Sequence, residues 1–443
     1  MDLKEKLARL KDAGPGSRAP KTKTVEETPP ITADDAARLE RIERLRTLID
    51  RVMSRSAAEE QAQIVSIDVR PQTLPGGPQD TPFGTVHVAE EHLEPAHCQG
   101  RTPIATALDV SSQTLSTLAL DPSLAGVDPR GMLFLDTETT GLVGGTGTVP
   151  FLVGLARFED QSMRVEQLFL RQLGCERPLL HRLAERLSSA TLLVTYNGKT
   201  FDWPLLRTRY VMNQLDLPET PPHLDLLHCA RRVYKRRLGE CNLVRVEERV
   251  LGLRREHDIE GSEIPIRYLD YLRSGNEAQL VPIIEHNAHD LISLAAVVGI
   301  MGTHYVDLEP GDEPEDHLGY ARLAERAGDR ERAISFARAA KEGSGSDDLT
   351  VDASLFLARL LMRSGDVDGQ ERVLLDALEA AGYAGPKAAG IHLALAKVYE
   401  HRIKDLERAK KHAEHALGAE TDDAHQRRLE RLASRLARRA VMG

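Results

Sequence analysis

The chain has 443 residues, 41% of them hydrophobic, with 58 basic against 68 acidic side chains and a formal net charge of -10 at pH 7. That length exceeds one ordinary domain and predicts two or three folded units. The acidic balance excludes binding of nucleic acid by bulk charge, although a local basic surface would suffice, and an aromatic content of 4% excludes an extended base-stacking platform.

No run of 18 or more apolar residues occurs, so no membrane span is expected. Residues 1–31 are rich in Lys, Pro, Gly and Thr and read as a disordered leader. Their charged start, MDLKEKLARLKDAGPG, has no apolar segment behind it, which points to a cytoplasmic protein rather than a signal peptide. From Thr32 to Gln63, the apolar residues Leu39, Ile42, Leu45, Leu48, Ile49 and Val52 recur at helical spacing, with Thr32 or Asp34 as N-cap. The whole of 32–127 reads as this helix followed by an irregular extension with a few strands. His87, His92, His97 and Cys98 lie in it at spacings that match no zinc pattern. The four cysteines, Cys98, Cys175, Cys229 and Cys241, form no CxxC pair and read as reduced, mostly buried thiols.

The texture changes at about residue 128. GMLFLD is a short apolar run ending in acid, as a buried strand would be. PFLVGLARF and SMRVEQLFL follow as a hairpin. CERPLLHRLAERLSS reads as a helix, TLLVTYN as a buried strand, FDWPLLRTRYVMNQL as a helix, HLDLLHCARRVYKRR as a strand entering a helix, and residues 277–301 as a helix. Strands that first pair antiparallel and then alternate with helices predict an α/β domain, a mixed sheet flanked by helices, over 128–305.

Residues 315–443 carry a helical pattern throughout. Ala327-Gly328-Asp329, Ser364-Gly365-Asp366 and Ile403-Lys404-Asp405 each separate two helices, and their aspartates are 37 and 39 residues apart. Repeated helix-turn-helix units near this length look like tetratricopeptide-type repeats, a surface suited to a protein partner or to self-association.

The strongest local signal is Phe134-Leu135-Asp136-Thr137-Glu138-Thr139-Thr140-Gly141-Leu142. Side chains at i and i+2 of a strand share a face, so Asp136 and Glu138 project together where a buried strand ends. Two such carboxylates repel each other, and hard divalent cations with oxygen ligands are the usual compensation. A second segment, Tyr196-Asn197-Gly198-Lys199-Thr200-Phe201-Asp202, places Asp202 near a helix start. A third, His286-Asn287-Ala288-His289-Asp290, puts His286 and Asp290 on one helix face by i, i+4 spacing.

Together the DxE, the N-x-x-x-F-D about 60 residues on, and the H-x-A-x-D resemble the three exonuclease motifs of the DEDD superfamily. The segments DTETTGLVGGTGTVPFLVG, TYNGKTFDWPLLRTR, HLDLLHCARR and EHNAHDLISLA are similar to the RNase-H-like exonuclease family of YprB type, over about 170 of the 443 residues. The resemblance implies an RNase-H-like fold, with Asp136, Glu138, Asp202 and Asp290 as ligands of two divalent ions, Mg²⁺ or Mn²⁺. It implies His286 as general base, as in the histidine-bearing members, and hydrolysis of DNA or RNA from a 3′ end by a two-metal mechanism. His289 also stands beside Asp290, and the sequence does not decide between the two imidazoles.

Three kinds of residue are candidates for gripping the substrate. The turn after the first motif holds Thr139, Gly141, Gly144 and Gly145, where glycine lets backbone approach a phosphate, without the GK[ST] of an ATP-binding loop. Asn197 and Lys199 lie on the second-motif loop. Arg231 and Arg232 head a basic cluster with Lys235, Arg236 and Arg237, supported by Arg207 and Arg209, that can follow a phosphate backbone. His223 and Asp225 are expected to support the site from behind, and Phe201 and Trp203 to lie in the core. Two other readings compete with a nuclease. One is a silent RNase-H-like scaffold whose repeats bind proteins; the other is a metal-dependent phosphatase or nucleotidase.

Overall fold

A computed structural model of the chain describes residues 73–141, 147–256, 258–308, 313–343 and 345–442. The leader, the helix expected over 32–63, and Gly144 and Gly145 lie outside the described residues.

The chain enters a sheet earlier than the sequence suggested. Strands β1 (Gly77–Thr81) and β2 (Gly84–Leu93) form a hairpin, and two short strands, β3 (Cys98–Gln99) and β4 (Thr102–Pro103), pair with each other. Helix α1 (Ser112–Ala119) leads to β5 (Met132–Thr139), then β6 (Pro150–Glu159), β7 (Ser162–Phe169) and helix α2 (Glu176–Ser188). Next come β8 (Leu192–Thr195), α3 (Asp202–Met212), β9 (His223–Asp225) and α4 (Leu226–Leu238). The short α5 (Leu243–Val246), α6 (Ile264–Ser274) and the 26-residue α7 (Val281–Val306) complete this part.

The sheet has seven strands in the order β1-β2-β7-β6-β5-β8-β9. The pairs from β1 to β5 are antiparallel; β5–β8 and β8–β9 are parallel. This is the mixed sheet that the order of elements predicted, enlarged by β1 and β2 from the supposed extension. β5 is central and buried on both faces. Met132 and Phe134 belong to one hydrophobic core with Leu291, Leu294 and Ala295 of α7 and Val233 and Tyr234 of α4. Leu133 and Leu135 belong to the other, with Leu179, Leu180 and Leu183 of α2 and Tyr210 of α3. Alternation along β5 therefore sends Asp136 and Glu138 toward α7, where the apolar series gives out. Gly154 stands opposite Asp136 and Leu152 opposite Glu138, and the register slips after Glu138.

The rest of the described chain is helical: α8 (Pro314–Ala327), α9 (Arg330–Glu342), α10 (Asp347–Ser364), α11 (Val367–Ala380), α12 (Pro386–Val398), α13 (Leu406–Glu414) and α14 (Asp422–Met442). Each of the three predicted turns has one geometry. Gly328, Gly365 and Lys404 take positive φ (84°, 84° and 65°), which ends the first helix. Asp329, Asp366 and Asp405 then accept a backbone N–H of the next helix, from Arg332, Gly369 and Arg408. The tail shares the first core: Tyr234 and Tyr320 meet at 3.1 Å between hydroxyls, Arg237 grips Asp316, and Arg236 reaches Asp352. Gly319 lies so close to α4 that an added Cβ would stand 2.2 Å from the Val233 carbonyl oxygen. Among the described residues, no helix is long and apolar enough to cross a membrane. Cys229 and Cys241 are buried as expected, whereas Cys98 and Cys175 are exposed.

Lys404 occupies the position that glycine fills in the other two turns, and a side chain there is strained by about 1–2 kcal/mol. Lys404→Gly is expected to raise the thermal midpoint of the helical tail, whereas Gly365→Ala, in open space, should lower it by about 1 kcal/mol of backbone strain. Paired melts followed by circular dichroism check both signs.

Candidate active site

Three segments converge at the end of β5. Asp136 and Glu138 come from the strand, Asp202 from the first turn of α3, and His286 and Asp290 from α7. Asp202 accepts a 2.5 Å hydrogen bond from the Thr137 hydroxyl, the residue between the two strand acids. Asp136 accepts one of 2.8 Å from the Asn287 amide. Asn287 is fully buried and is fixed in turn by Gln167, which also donates to the Ile284 carbonyl. Gly154 makes room for this amide, since a Cβ there would lie 2.1 Å from the Asn287 Oδ1.

The electrostatics follow from burial and crowding. Burial, and then the neighbouring Asp290 and Asp202, push the Asp136 carboxyl well above the ordinary range. Burial, and then Asp136 and the other acids, do the same to Glu138. Burial pushes Asp202 up to about 6, against the relief given by Thr137. A set of half-buried, mutually repelling oxygen donors suits a hard divalent cation. Among the described residues, however, no three His, Cys, Asp or Glu side chains are drawn together tightly enough to hold a metal ion as they stand.

A resident cation accounts for part of that looseness. Arg255, on the chain between α5 and α6, is 6% exposed and points its guanidinium into the acids. Its Nη2 lies 2.5 Å from the Asp290 Oδ1 and also contacts Glu247, and its Nη1 reaches Asp258 at 3.1 Å. Burial opposes this charge, but Asp290 and Glu247 outweigh burial and hold the guanidinium above its ordinary pKa range. Asp258 also receives the Nδ1 of His286 at 2.8 Å, leaving Nε2 3.9 Å from both Glu138 and Asp290. With a carboxylate accepting at Nδ1, the neutral ring carries its lone pair on Nε2, facing the acids. His286 is thus the imidazole among the carboxylates, while the exposed His289 packs its backbone carbonyl against Gln99.

The substrate candidates separate. Asn197 turns the second-motif loop at φ 68°, and its N–H and that of Lys199 are both held by the buried Asp225 carboxylate. His223 bonds the Thr195 hydroxyl at 2.8 Å, and burial, then Lys199, pull its pKa down to about 4. Thr139 donates to the Gly141 carbonyl within the first-motif turn. Arg231 is exposed, but Arg232 turns inward to the Leu118 carbonyl. Arg209, counted with the basic surface, is instead buried against Glu176. Phe201, expected in the core, is 54% exposed beside Asp202, and Trp203 is only partly buried.

The sequence reading missed Arg255, Asp258, Glu247 and Asn287. Asn287 had a usable signal, a polar residue on the inward side of an apolar helix. The other three lie in or beside an irregular segment that has no period to read.

A carboxylate whose folded-state pKa is raised binds its proton more tightly when folded, so the metal-free protein loses stability as pH rises from about 4 through the Asp202 value of about 6. Removing one charge relieves the rest. Asp136→Asn, in EDTA, is therefore expected to melt higher than wild type, by more at pH 7.5 than at pH 5; an equal or lower midpoint at pH 7.5 contradicts the repulsion.

Comparison with known proteins agrees with this frame. A model of the RNase_H superfamily matches residues 133–301, from β5 into α7, which spans all four acids. The chain is 31% identical over 328 residues to the uncharacterised protein YprB of Bacillus subtilis (strain 168), covering 71% of this chain and 76% of that relative. An RNase H-like sheet, with 31% identity covering 71% of the chain, places the chain in the family of YprB.

Proposed function

We propose that the protein is a metal-dependent nuclease of the DEDD type, hydrolysing phosphodiester bonds of DNA or RNA from the 3′ end. The observation that carries this is the convergence of Asp136, Glu138, Asp202 and Asp290 with one imidazole at the end of a central strand, from parts of the chain up to 154 residues apart. Asp136, Glu138, Asp202 and Asp290 would hold two divalent ions, Mg²⁺ or Mn²⁺. When bound, such ions supply charge neutralisation at the phosphate and activation of water.

The chain's own residues do the rest. His286 Nε2, fixed by the Asp258 contact at Nδ1, takes the proton of the attacking water. Asp258 is a positioning residue that sets the ring and its tautomer. Asn287 holds one oxygen of Asp136. The turn carrying Thr139 and Gly141 and the loop carrying Asn197 and Lys199 flank the acids and would receive the terminal nucleotide, with the exposed Phe201 ring available to a base. The catalytic unit would span 128–305 and recruit β1 and β2. Residues 315–443 would be tetratricopeptide-like repeats for a protein partner, a reading supported by the shared geometry of their three turns.

One observation favours a second reading, a silent scaffold. Arg255 already neutralises Asp290, which a metal would otherwise need. The two readings part on a single experiment. Single-stranded DNA and RNA, labelled at either the 5′ or the 3′ end, are incubated with Mg²⁺ or Mn²⁺. The nuclease gives a ladder from the 5′-labelled strand that is absent with Asp136→Ala. His286→Ala should lower kcat by about 10²–10⁴-fold, and Asp258→Asn by about 10–100-fold with little change in KM. No cleavage of any strand by wild type would favour the scaffold.

A further inference from the structure

The basic cluster on α4 does not act as one patch. Arg232 is spent on the Leu118 carbonyl, Arg236 on Asp352 and Arg237 on Asp316. Arg231 and Lys235, one turn apart, remain. Both are exposed, and among the described residues neither makes an ion pair. Both line one cavity of about 610 Å³ with Tyr196, Asn197, Glu240 and Leu243.

The composition of this cavity is specific. Two cations stand against one acid, Glu240, so the balance favours an anion. Tyr196, whose hydroxyl is tied to the Cys241 carbonyl, and Leu243 add apolar wall beside the charges. A nucleotide, an anion joined to a flat ring, matches this lining. The wall is also continuous with the acid cluster: Tyr196 and Asn197 begin the loop that ends at Asp202. The five residue-to-residue steps from Asn197 to Asp202 span at most about 18 Å of chain.

We propose that this cavity binds an internucleotide phosphate and its base in the single strand, on the 5′ side of the bond to be cut. The site rests on the nuclease reading and gives it a second hold away from the acids. Arg231 and Lys235 supply the charge, and Tyr196 the face for the base. The three paired cations of α4 contribute nothing to the grip.

The test is binding by the full-length chain carrying Asp136→Asn, so that no strand is consumed. Fluorescence anisotropy of a 5′-fluorescein single-stranded 15-mer is followed from 50 to 200 mM NaCl. Arg231→Ala with Lys235→Ala should weaken binding about tenfold at the lowest salt and flatten the log Kd against log salt slope by about 1.4, the value for two lost phosphate contacts on a single strand. Arg231→Lys with Lys235→Arg should restore both, and Arg236→Ala should change neither. An unchanged affinity and slope in the double alanine variant overturns the proposal. Cleavage by the wild-type chain is measured separately. Cleavage without this binding change defeats the cavity alone. The binding change without cleavage defeats the nuclease reading and leaves the cavity as a strand-binding site. Neither one defeats both.

Discussion

Repulsion among half-buried carboxylates is the constraint around which the rest of the sheet's open end is arranged. Asp136 and Glu138 cannot move apart, because the strand that carries them is locked between β6 and β8 with apolar cores on both faces. Three polar neighbours then make the crowding of these acids tolerable. Thr137 donates to Asp202, Asn287 donates to Asp136, and Arg255 brings a positive charge to Asp290. Those partners have supports of their own, Gln167 behind Asn287 and Glu247 behind Arg255. Buried charge is expensive unless compensated, and here compensation runs two residues deep.

Arg255 gives the site two possible electrostatic partners. A divalent ion bound as proposed would compete with this guanidinium for the Asp290 oxygens, so metal affinity would be a difference between two attractions rather than one attraction alone. The same arginine touches Asp258, which holds His286. Charge balance at the acids and orientation of the imidazole are therefore linked through one side chain.

Much of this was legible beforehand, for physical reasons that differ by element. The strand MLFLDTET announces itself because burial on both faces requires an unbroken apolar run and because acids at i and i+2 must share a side. The helical turns at Gly328 and Gly365 are readable since left-handed backbone selects glycine and the next helix selects an aspartate cap. Lys404 breaks the glycine rule and is found only through its spacing. The joining of β1 and β2 to the sheet was not legible: a short edge strand and a neighbour of mixed exposure lack a strong period. Arg255 and Asp258 were invisible for another reason. Their partners, Asp290 and His286, lie about 30 residues away, and nothing local marks an arginine in a loop as buried. The basic run on α4 misled in part, because sequence shows charge but not which charges already have partners.

Helix α4 has one side turned to the helical tail and another to the cavity beside the second motif. Tyr234, Arg236 and Arg237 bind Tyr320, Asp352 and Asp316, while Arg231 and Lys235 face outward a turn away. It is a party wall. The tail is mortared to the sheet, sharing a single hydrophobic interior with it. The tail's outer surface and the two cations that line the cavity are therefore carried on one packed body, with α4 as the element common to both.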